Sequence, residues 1–373
     1  MIKVLFFIEN LHSGGAERVL RNLVNTMDQK RFDITVQTLW PSKAEQLLCS
    51  GIHYKTCYRK KNRFSHMLNR IEAWLGLTYW FHIRDNYDIE CAYLECFPTK
   101  IIASSTNRRA KKLAWVHCDL QKKMKQMRDP QKFKVIAKKW YQKFDRIVCV
   151  SEDVRDSFGA LFGDAEKTTV LYNTIDDEAI RQKAEATIPE LPEKHRSVVV
   201  SLGRLTAQKG YDRLLRVHKR LIDAGIDCDL YILGEGEARS KLETYIKETG
   251  LSDSVTLPGF FSNPYPYIKF ADLLVCSSRY EGFSTFVTEG MILGKPVVTT
   301  DCTGMRELLG DSQFGLIVDN SEDGLYDGMM RLLKDRSMLE YYARQAMARG
   351  ESFSARQLAE KTEQFLLHVF EDR

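Results

Sequence analysis

No apolar run in this 373-residue chain approaches the roughly 20 residues needed to span a bilayer. The opening stretch MIKVLFFIEN carries one lysine and a short apolar core, and it runs into LHSGGAERVL without a clear cleavage site. It therefore reads as a buried first strand rather than a secretory signal. The nine cysteines are odd in number and form no C-x-x-C pair, and several fall in apolar runs such as RIVCV and LLVCSS. That usage suits reduced, buried thiols in a cytosolic protein, and no His/Cys cluster has zinc-ligand spacing. Two nucleotide signatures are also missing. There is no G-x-x-x-x-G-K-[ST], which disfavours a P-loop nucleotidase. The GEGEAR stretch puts Arg239 at the third glycine position of G-x-G-x-x-G, which disfavours a nicotinamide dinucleotide.

The chain is 44% hydrophobic and 28% charged, the composition of an ordinary globular protein, and it exceeds the ceiling of about 250–300 residues for a single core. Short β-branched runs (IKVLFFI, FDITVQTL, KLAWVH, RIVCVS, then SVVVSLG, CDLYILG, ADLLVCSS, PVVTTD) alternate with stretches of helical period. This pattern predicts βαβ units and parallel sheets. Both halves open with strand, glycine turn and helix, and the polar Glu185–Ser197 segment, with two prolines, reads as the connection between them. The expected architecture is α/β, with two doubly wound, Rossmann-like domains facing a central cleft at their C-terminal strand ends. Their expected extents are 1–184, a linker at 185–196, 197–354, and a terminal helix over 355–373 packing back on the first domain.

RYEGFSTFVTEGMILGKPVV, from Arg279 to Val298, is the most informative stretch. It follows a buried strand, turns at Glu281 and starts a helix capped at Ser284 or Thr285, with Glu289 more than one turn in. The free amides of such a helix start attract anions. On its own, Glu281 could simply pair with Arg279, and Glu289 could be a solvated helix residue. In SLGRLTAQKGYDRLL, Gly203 permits a tight turn, and Arg204 and Lys209 are cations suited to a diphosphate, a planar fork and a mobile point charge. Gly234 and Gly236 in YILGEGE would permit close approach of a flat ring. Gly14 and Gly15 would allow a ligand near the first strand-to-helix turn, and His117 ends the strand KLAWVH.

GRLTAQKGYDRLL, ILGEGEARSKLE, LPGF, SSRYEGFSTFVTEGMILGKPVVTTDCTGMRELL and GLIVD, in this order, resemble the donor domain of retaining glycosyltransferases of family 4, with the GT-B fold. SGGAERVL and AWVHCD are similar to that family's N-terminal half. The resemblance implies that Glu289 accepts hydrogen bonds from ribose hydroxyls and that Glu281 approaches the transferred sugar. It further implies that Arg204 and Lys209 hold the diphosphate with the amides around Ser284, Thr285 and Phe286, and that His117 approaches the donor sugar. No residue stands out as a nucleophile, and the leaving diphosphate is expected to help deprotonate the acceptor. No metal or other cofactor is expected, so Asp227 and Asp229 (DCD), which precede a strand core, read as strand-start charge.

Between Asn107 and Arg146 there are 14 Lys/Arg against three Asp, a net of +11, so the rest of a chain at +5 sums to −6. With Phe133, Ile136, Trp140 and Phe144 at helical spacing, this stretch fits either an anionic membrane surface or a solvated face over a core stripe. The implied activity is transfer of a hexose or N-acetylhexosamine, most readily from a UDP-sugar, to a lipid-linked or polysaccharide acceptor, by a cytoplasmic enzyme peripheral to the inner membrane face. The alternatives are a GT-B UDP-sugar 2-epimerase and, in a different class, a basic nucleic-acid-binding protein, for which RRAKK and the lysine run are the only support.

Overall fold

Strands that are apolar at almost every position need cover on both faces, and here they receive it from helices. The computed structural model describes residues 1–11, 14–125, 127–163, 165–187 and 195–372, apart from the side chains of Trp74 and Ala165. The chain divides into two units, Met1–Ile175 with Ala355–Arg373, and Asp176–Ser354.

Unit 1 runs β1 (Ile2–Phe7), α1 (Gly15–Thr26), β2 (Phe32–Thr38), β3 (His53–Thr56), α2 (Arg63–Leu75), α3 (Thr78–His82), β4 (Ile89–Ala92) and α4 (Phe97–Ile102). It continues with β5 (Lys111–Val116), α5 (Leu120–Met124), α6 (Pro130–Tyr141), β6 (Arg146–Cys149), α7 (Glu152–Phe162) and β7 (Thr168–Val170). Its sheet is parallel throughout in the order β3-β2-β1-β4-β5-β6-β7. The order reverses between β1 and β4, so the loops leaving those two strands diverge and open a crevice at their C-terminal ends.

Unit 2 runs α8 (Asp177–Ala184), β8 (Ser197–Leu202), α9 (Tyr211–Asp223), β9 (Cys228–Leu233), α10 (Arg239–Glu248), β10 (Val255–Gly259), α11 (Tyr265–Phe270) and β11 (Leu273–Cys276). Then come α12 (Thr285–Ile292), β12 (Val297–Thr300), α13 (Met305–Leu309), β13 (Leu316–Val318), α14 (Glu322–Lys334) and α15 (Arg336–Gly350). The sheet order is β10-β9-β8-β11-β12-β13, again parallel, with the reversal between β8 and β11. Val199, Leu230, Leu273 and Val298 from the strands meet Leu214, Leu221 and Met329 from the helices in one core. His218, with no exposure, joins it and is satisfied by Ser254 Oγ at 3.1 Å.

The division differs from the one expected at Ala184. α8 buries Ile180 and Ala184 and packs on α11 and α12, so it belongs to unit 2 and the seam lies between Ile175 and Asp176. Residues 188–194 of the expected linker lie outside the described residues. The last helix, α16 (Ala355–Glu371), returns to unit 1 and packs on α1. Its Glu363 accepts from the Asp28 amide at 2.8 Å, and Asp372 just beyond it receives Arg146 at 2.9 Å. Because Leu366 has no exposure, Leu366→Ala should cost unit 1 about 2–5 kcal/mol. Urea unfolding followed by a unit 1 probe should show the loss, and an unchanged midpoint would mean that α16 is not part of that core.

Candidate active site

Two loops leave the β8/β11 reversal of unit 2, and their backbones are tied together. Arg213, on α9 and only 5% exposed, donates from Nε and Nη2 to the Ser277 carbonyl at 3.0 and 2.7 Å, and from Nη2 to the Ser278 carbonyl at 2.8 Å. Thr300 at the end of β12 adds its hydroxyl to the Ser278 carbonyl at 2.6 Å. The same β11 loop is tied to the loop after β8, where Ser277 Oγ donates to the Lys209 carbonyl at 2.8 Å and the Arg279 amide to the Gln208 carbonyl at 2.7 Å. The Arg279 guanidinium forks onto both oxygens of Asp212 at 2.8 Å and holds that carboxyl down to about 2.

Within this frame Lys209 Nζ lies 2.6 Å from Glu281 Oε1, and Ser278 Oγ donates to the same oxygen at 2.5 Å. Burial opposes the Lys209 charge, but the Glu281 carboxylate outweighs it and the lysine pKa is raised. Glu281 is 7% exposed. Five residues after the strand end it presents one carboxylate locked to a cation. Ser284 caps α12 by accepting from the Val287 amide at 3.4 Å. Every residue from Phe286 to Ile292 is buried, Glu289 included, so Glu289 is the one charged residue of a buried helix and not a solvated one.

Arg204, next to Gly203, is exposed and in no ion pair among the described residues. Gly234 has φ +140°, and a Cβ there would stand 2.0 Å from the Gly203 carbonyl oxygen; at Gly236 it would meet the Leu205 backbone at 2.3 Å. What these two glycines approach closely is thus the neighbouring loop, which they hold against β9. Gly304, at φ +79°, comes equally close to the Gly282 carbonyl and fixes the turn before α12.

In unit 1 the corresponding reversal carries Glu95, 6% exposed, three residues beyond β4. Its Oε1 accepts from the His117 and Cys118 amides, the latter at 3.0 Å, and its Oε2 faces Lys123 Nζ at 3.5 Å. Burial works against the Glu95 charge, but Lys123, His117 and the amides outweigh it and hold its pKa below the usual range. The Tyr93 ring lies tilted at 53°, 4.9 Å from the His117 ring, whose Nε2 is buried with no hydrogen-bond partner. Gly14 caps α1, and Gly15 is that helix's first residue.

Residues 13–179 match the family described as glycosyltransferase family 4, and residues 183–349 match glycosyl transferases group 1. Over 98% of its length the chain is 30% identical to all of the N-acetylgalactosamine-N,N'-diacetylbacillosaminyl-diphospho-undecaprenol 4-alpha-N-acetylgalactosaminyltransferase of Campylobacter jejuni. The chain belongs to glycosyltransferase family 4. This glycosyltransferase also shares 27% identity over 60% of its length with 32% of the poly(glycerol-phosphate) alpha-glucosyltransferase of Bacillus subtilis. Its fold is GT-B. Anabaena Alr3699/HepE, solved in complex with UDP-glucose, superposes with a TM-score of 0.80 over 99% of this chain and 100% of its own at 20% identity. The sucrose-phosphate synthase of Thermosynechococcus elongatus superposes equally well, at 15% identity over the whole of both chains. Neither the epimerase nor the nucleic-acid alternative is favoured by these matches.

In unit 2 of the glycosyltransferase, Gly203, Arg204, Lys209, Glu281, Ser284, Thr285 and Phe286 lie on the loops and helix start at the β8/β11 reversal, with Gly234 and Gly236 on the neighbouring loop after β9 and Glu289 further along α12, while in unit 1 Gly14 and Gly15 lie at the start of α1 and His117 at the end of β5. The expected division of labour between Lys209 and Glu281 is modified, since the two contact each other directly. Sequence reasoning missed Arg213, Ser278 and Thr300, which lie in buried, locally unremarkable positions, and Glu95 with Lys123, which are 28 positions apart. Asp227 and Asp229 pair with Arg196 at 3.0 and 3.5 Å, as strand-start charge should.

Burial holds the His117 pKa at about 4 against the raising pull of Glu95. An unfolded histidine titrates near 6.5, so the stability owed to the neutral ring is complete above that pH and is lost as pH falls from about 6.5 to about 4. His218, also held at about 4 by burial, acts in the same window. Between pH 6.5 and 4, His117→Gln should therefore remove a slope of about 1.4 kcal/mol per pH unit from the unfolding free energy of unit 1. An identical slope in wild type and variant would mean that the folded ring is charged.

Proposed function

We propose that the enzyme is a retaining transferase that moves a hexose or N-acetylhexosamine from a UDP-sugar to a lipid-linked glycan in cell-surface polysaccharide synthesis. The observation that carries this reading is the convergence at the β8/β11 reversal of a cation, a carboxylate and the amide end of α12. A sugar nucleotide needs all three. Its diphosphate wants positive charge and N–H donors, while its hydroxyls are donors that an ionised carboxylate accepts.

Arg204 is the mobile fork for the diphosphate, and Lys209 the second cation. The ion pair fixes the Lys209 ammonium against Glu281, and the ammonium and the α12 amides meet the anion without a metal ion. With Ser278 and Lys209 both on Oε1, Glu281 turns Oε2 toward the sugar hydroxyls. Glu289 accepts from the ribose. Gly234 and Gly236 hold the loop that the base lies against. In unit 1, Gly14 and Gly15 serve the acceptor, and His117 offers a neutral ring to a sugar hydroxyl. With no nucleophile assigned, the leaving diphosphate takes the acceptor proton on the face from which it departs, which retains the anomeric configuration.

The lipid-linked acceptor is supported by the Campylobacter relative, whose name places its sugar chain on a diphospho-undecaprenol. A cytoplasmic enzyme peripheral to an anionic membrane follows from that acceptor. No helix among the described residues is long and apolar enough to cross a membrane.

Arg204→Ala should weaken UDP binding about tenfold or more while changing uridine binding little, because the lost contact is to phosphate. Calorimetry with both ligands checks this, and equal losses would move Arg204 off the diphosphate. Glu289→Gln should weaken UDP-sugar binding by about 10- to 150-fold, the worth of a charged hydrogen bond. Unchanged affinity would take the ribose away from Glu289. The central test is the anomeric configuration of the product by proton NMR with and without EDTA. An inverted product, or activity lost to EDTA and restored by manganese, would overturn the mechanism.

A further inference from the structure

α2 is amphipathic, but the face turned to the protein is not the apolar one. Ser65, Asn69 and Ala73, four residues apart, are the buried positions. Ser65 Oγ accepts from Trp40 Nε1 at 3.2 Å, so the helix is seated on unit 1 by small and polar groups. Among its described side chains Leu68 is half-buried, and the other large apolar ones point away from the protein. Phe64 is 63% exposed, and Met67, Ile71 and Leu75 follow at helical spacing with about half their surface free. α3 continues the pattern with Trp80 at 61% and Phe81 beside it, their rings edge to face at 4.8 Å. Seven of the fourteen large exposed apolar side chains among the described residues lie between Phe64 and Phe81. Elsewhere in this fold helices put the same residue types into the core, so the inversion is local.

The rim of the patch has one sign. From Arg59 to Arg84 there are six Lys/Arg and one carboxylate, Glu72. Glu72 is half-buried and engaged by the Tyr58 hydroxyl at 2.7 Å and by His82 Nε2 at 2.8 Å, so it does not offset the exposed cations. Arg59, Lys60, Arg63 and Arg70 are exposed and in no ion pair among the described residues. The larger basic stretch, Asn107–Arg146, is partly consumed inside unit 1. Lys123 faces Glu95, Lys122 pairs with Asp119 at 3.5 Å, and Lys111 and Arg146 hold Asp372. On α6, Val135 and Ile136 are exposed, and α6 is linked to the patch through α4 and α3, each packing on the next.

We propose that α2 and α3 form a monotopic docking face that lies in the headgroup layer of an anionic bilayer. Phe64, Met67, Ile71, Leu75, Trp80 and Phe81 enter the acyl boundary, and Arg59, Lys60, Arg63 and Arg70 sit on the phosphates. The occupant is a bilayer rather than a protein because the apolar stripe is bordered by unpaired cations of a single sign, the complement of an anionic lipid surface. Its use, delivery of the enzyme to a lipid-linked acceptor, rests on the function proposed above, but the surface itself does not. α6 lies at the edge of this face and contributes charge.

The test uses the full chain and sedimentation with vesicles of equimolar phosphatidylglycerol and phosphatidylcholine, against phosphatidylcholine alone. Wild type should bind the anionic vesicles, more weakly as salt rises. Phe64→Ser/Ile71→Ser/Trp80→Ser, all at exposed positions, should lose about tenfold or more of this affinity, as should Arg59→Glu/Lys60→Glu/Arg63→Glu. Lys132→Glu/Lys138→Glu/Lys139→Glu on α6 should lose less. UDP binding by calorimetry should be the same in all three variants and wild type, which separates this proposal from the catalytic one. Failure of UDP to bind any of them would sink the transferase reading and leave the docking face standing. The docking face is overturned if wild type does not bind anionic vesicles, if the serine variant binds as wild type does, or if sedimentation equilibrium shows a dimer that the serine variant abolishes. That last result would make the occupant a second copy of the chain.

Discussion

The ion pair between Lys209 and Glu281 is the contact on which the site of unit 2 is organised. Taking two charges out of water costs free energy that their attraction does not reliably return, so such a pair is poor evidence of stabilisation. It survives here because its surroundings are fixed in advance. Arg213 binds the carbonyls on one side, Ser278 supplies a second donor to the carboxylate, and Gly234 and Gly304 let neighbouring loops close to carbonyl contact. The result is a cation and a carboxylate held at known positions with little reorganisation left to do when a ligand arrives, the condition under which electrostatic stabilisation is strongest.

The legible part of the sequence was that in which local pattern and tertiary environment agree. All eight expected strands form, because runs such as VVVSL and DLLVC can only be covered on both faces. β4 was not anticipated although it is central. It has four residues, and one of them, Glu90, is a carboxylate with no exposure whose Oε1 accepts from the Tyr79 hydroxyl at 2.6 Å while its Oε2 is buried without a hydrogen-bond partner. A charge in the middle of a buried strand erases the signal unless its partner is known, and that partner sits on α3. β3, β7, β10 and β13, none longer than five residues, fall below what a period of two can mark.

Within the site, residue types and their loops were readable, but pairings were not. Arg279 stands two residues from Glu281 yet pairs with Asp212, 67 positions away, while Glu281 pairs with Lys209, 72 positions away. The charge excess of Asn107–Arg146 left two readings open for the same reason. A count of lysines cannot tell Lys123, turned in to Glu95, from Lys138 in solvent. The domain edge slipped by about one helix, because nothing in DEAIRQKA says on which core its two apolar residues will land.

The two reversals carry a comparison that separates structure from function. In each unit a glutamate follows the strand just past the switch point, Glu95 after β4 and Glu281 after β11, and each meets a lysine. Glu95 uses both oxygens internally, one on two backbone amides and one on Lys123. Its valence is spent on holding the β5 loop, and with it His117, in place. Glu281 concentrates Lys209 and Ser278 on a single oxygen. An ionised carboxylate has room for about four hydrogen bonds, so an arrangement built only for cohesion would distribute its donors as Glu95 does. Gathering both on Oε1 orients the group and commits one face to the protein, which is how a fold prepares a carboxylate to meet something from outside. Corresponding loops of the same topology therefore hold a strut in one unit and, in the other, a carboxylate with one oxygen left for a further donor, and the hydrogen-bond count on each oxygen tells them apart.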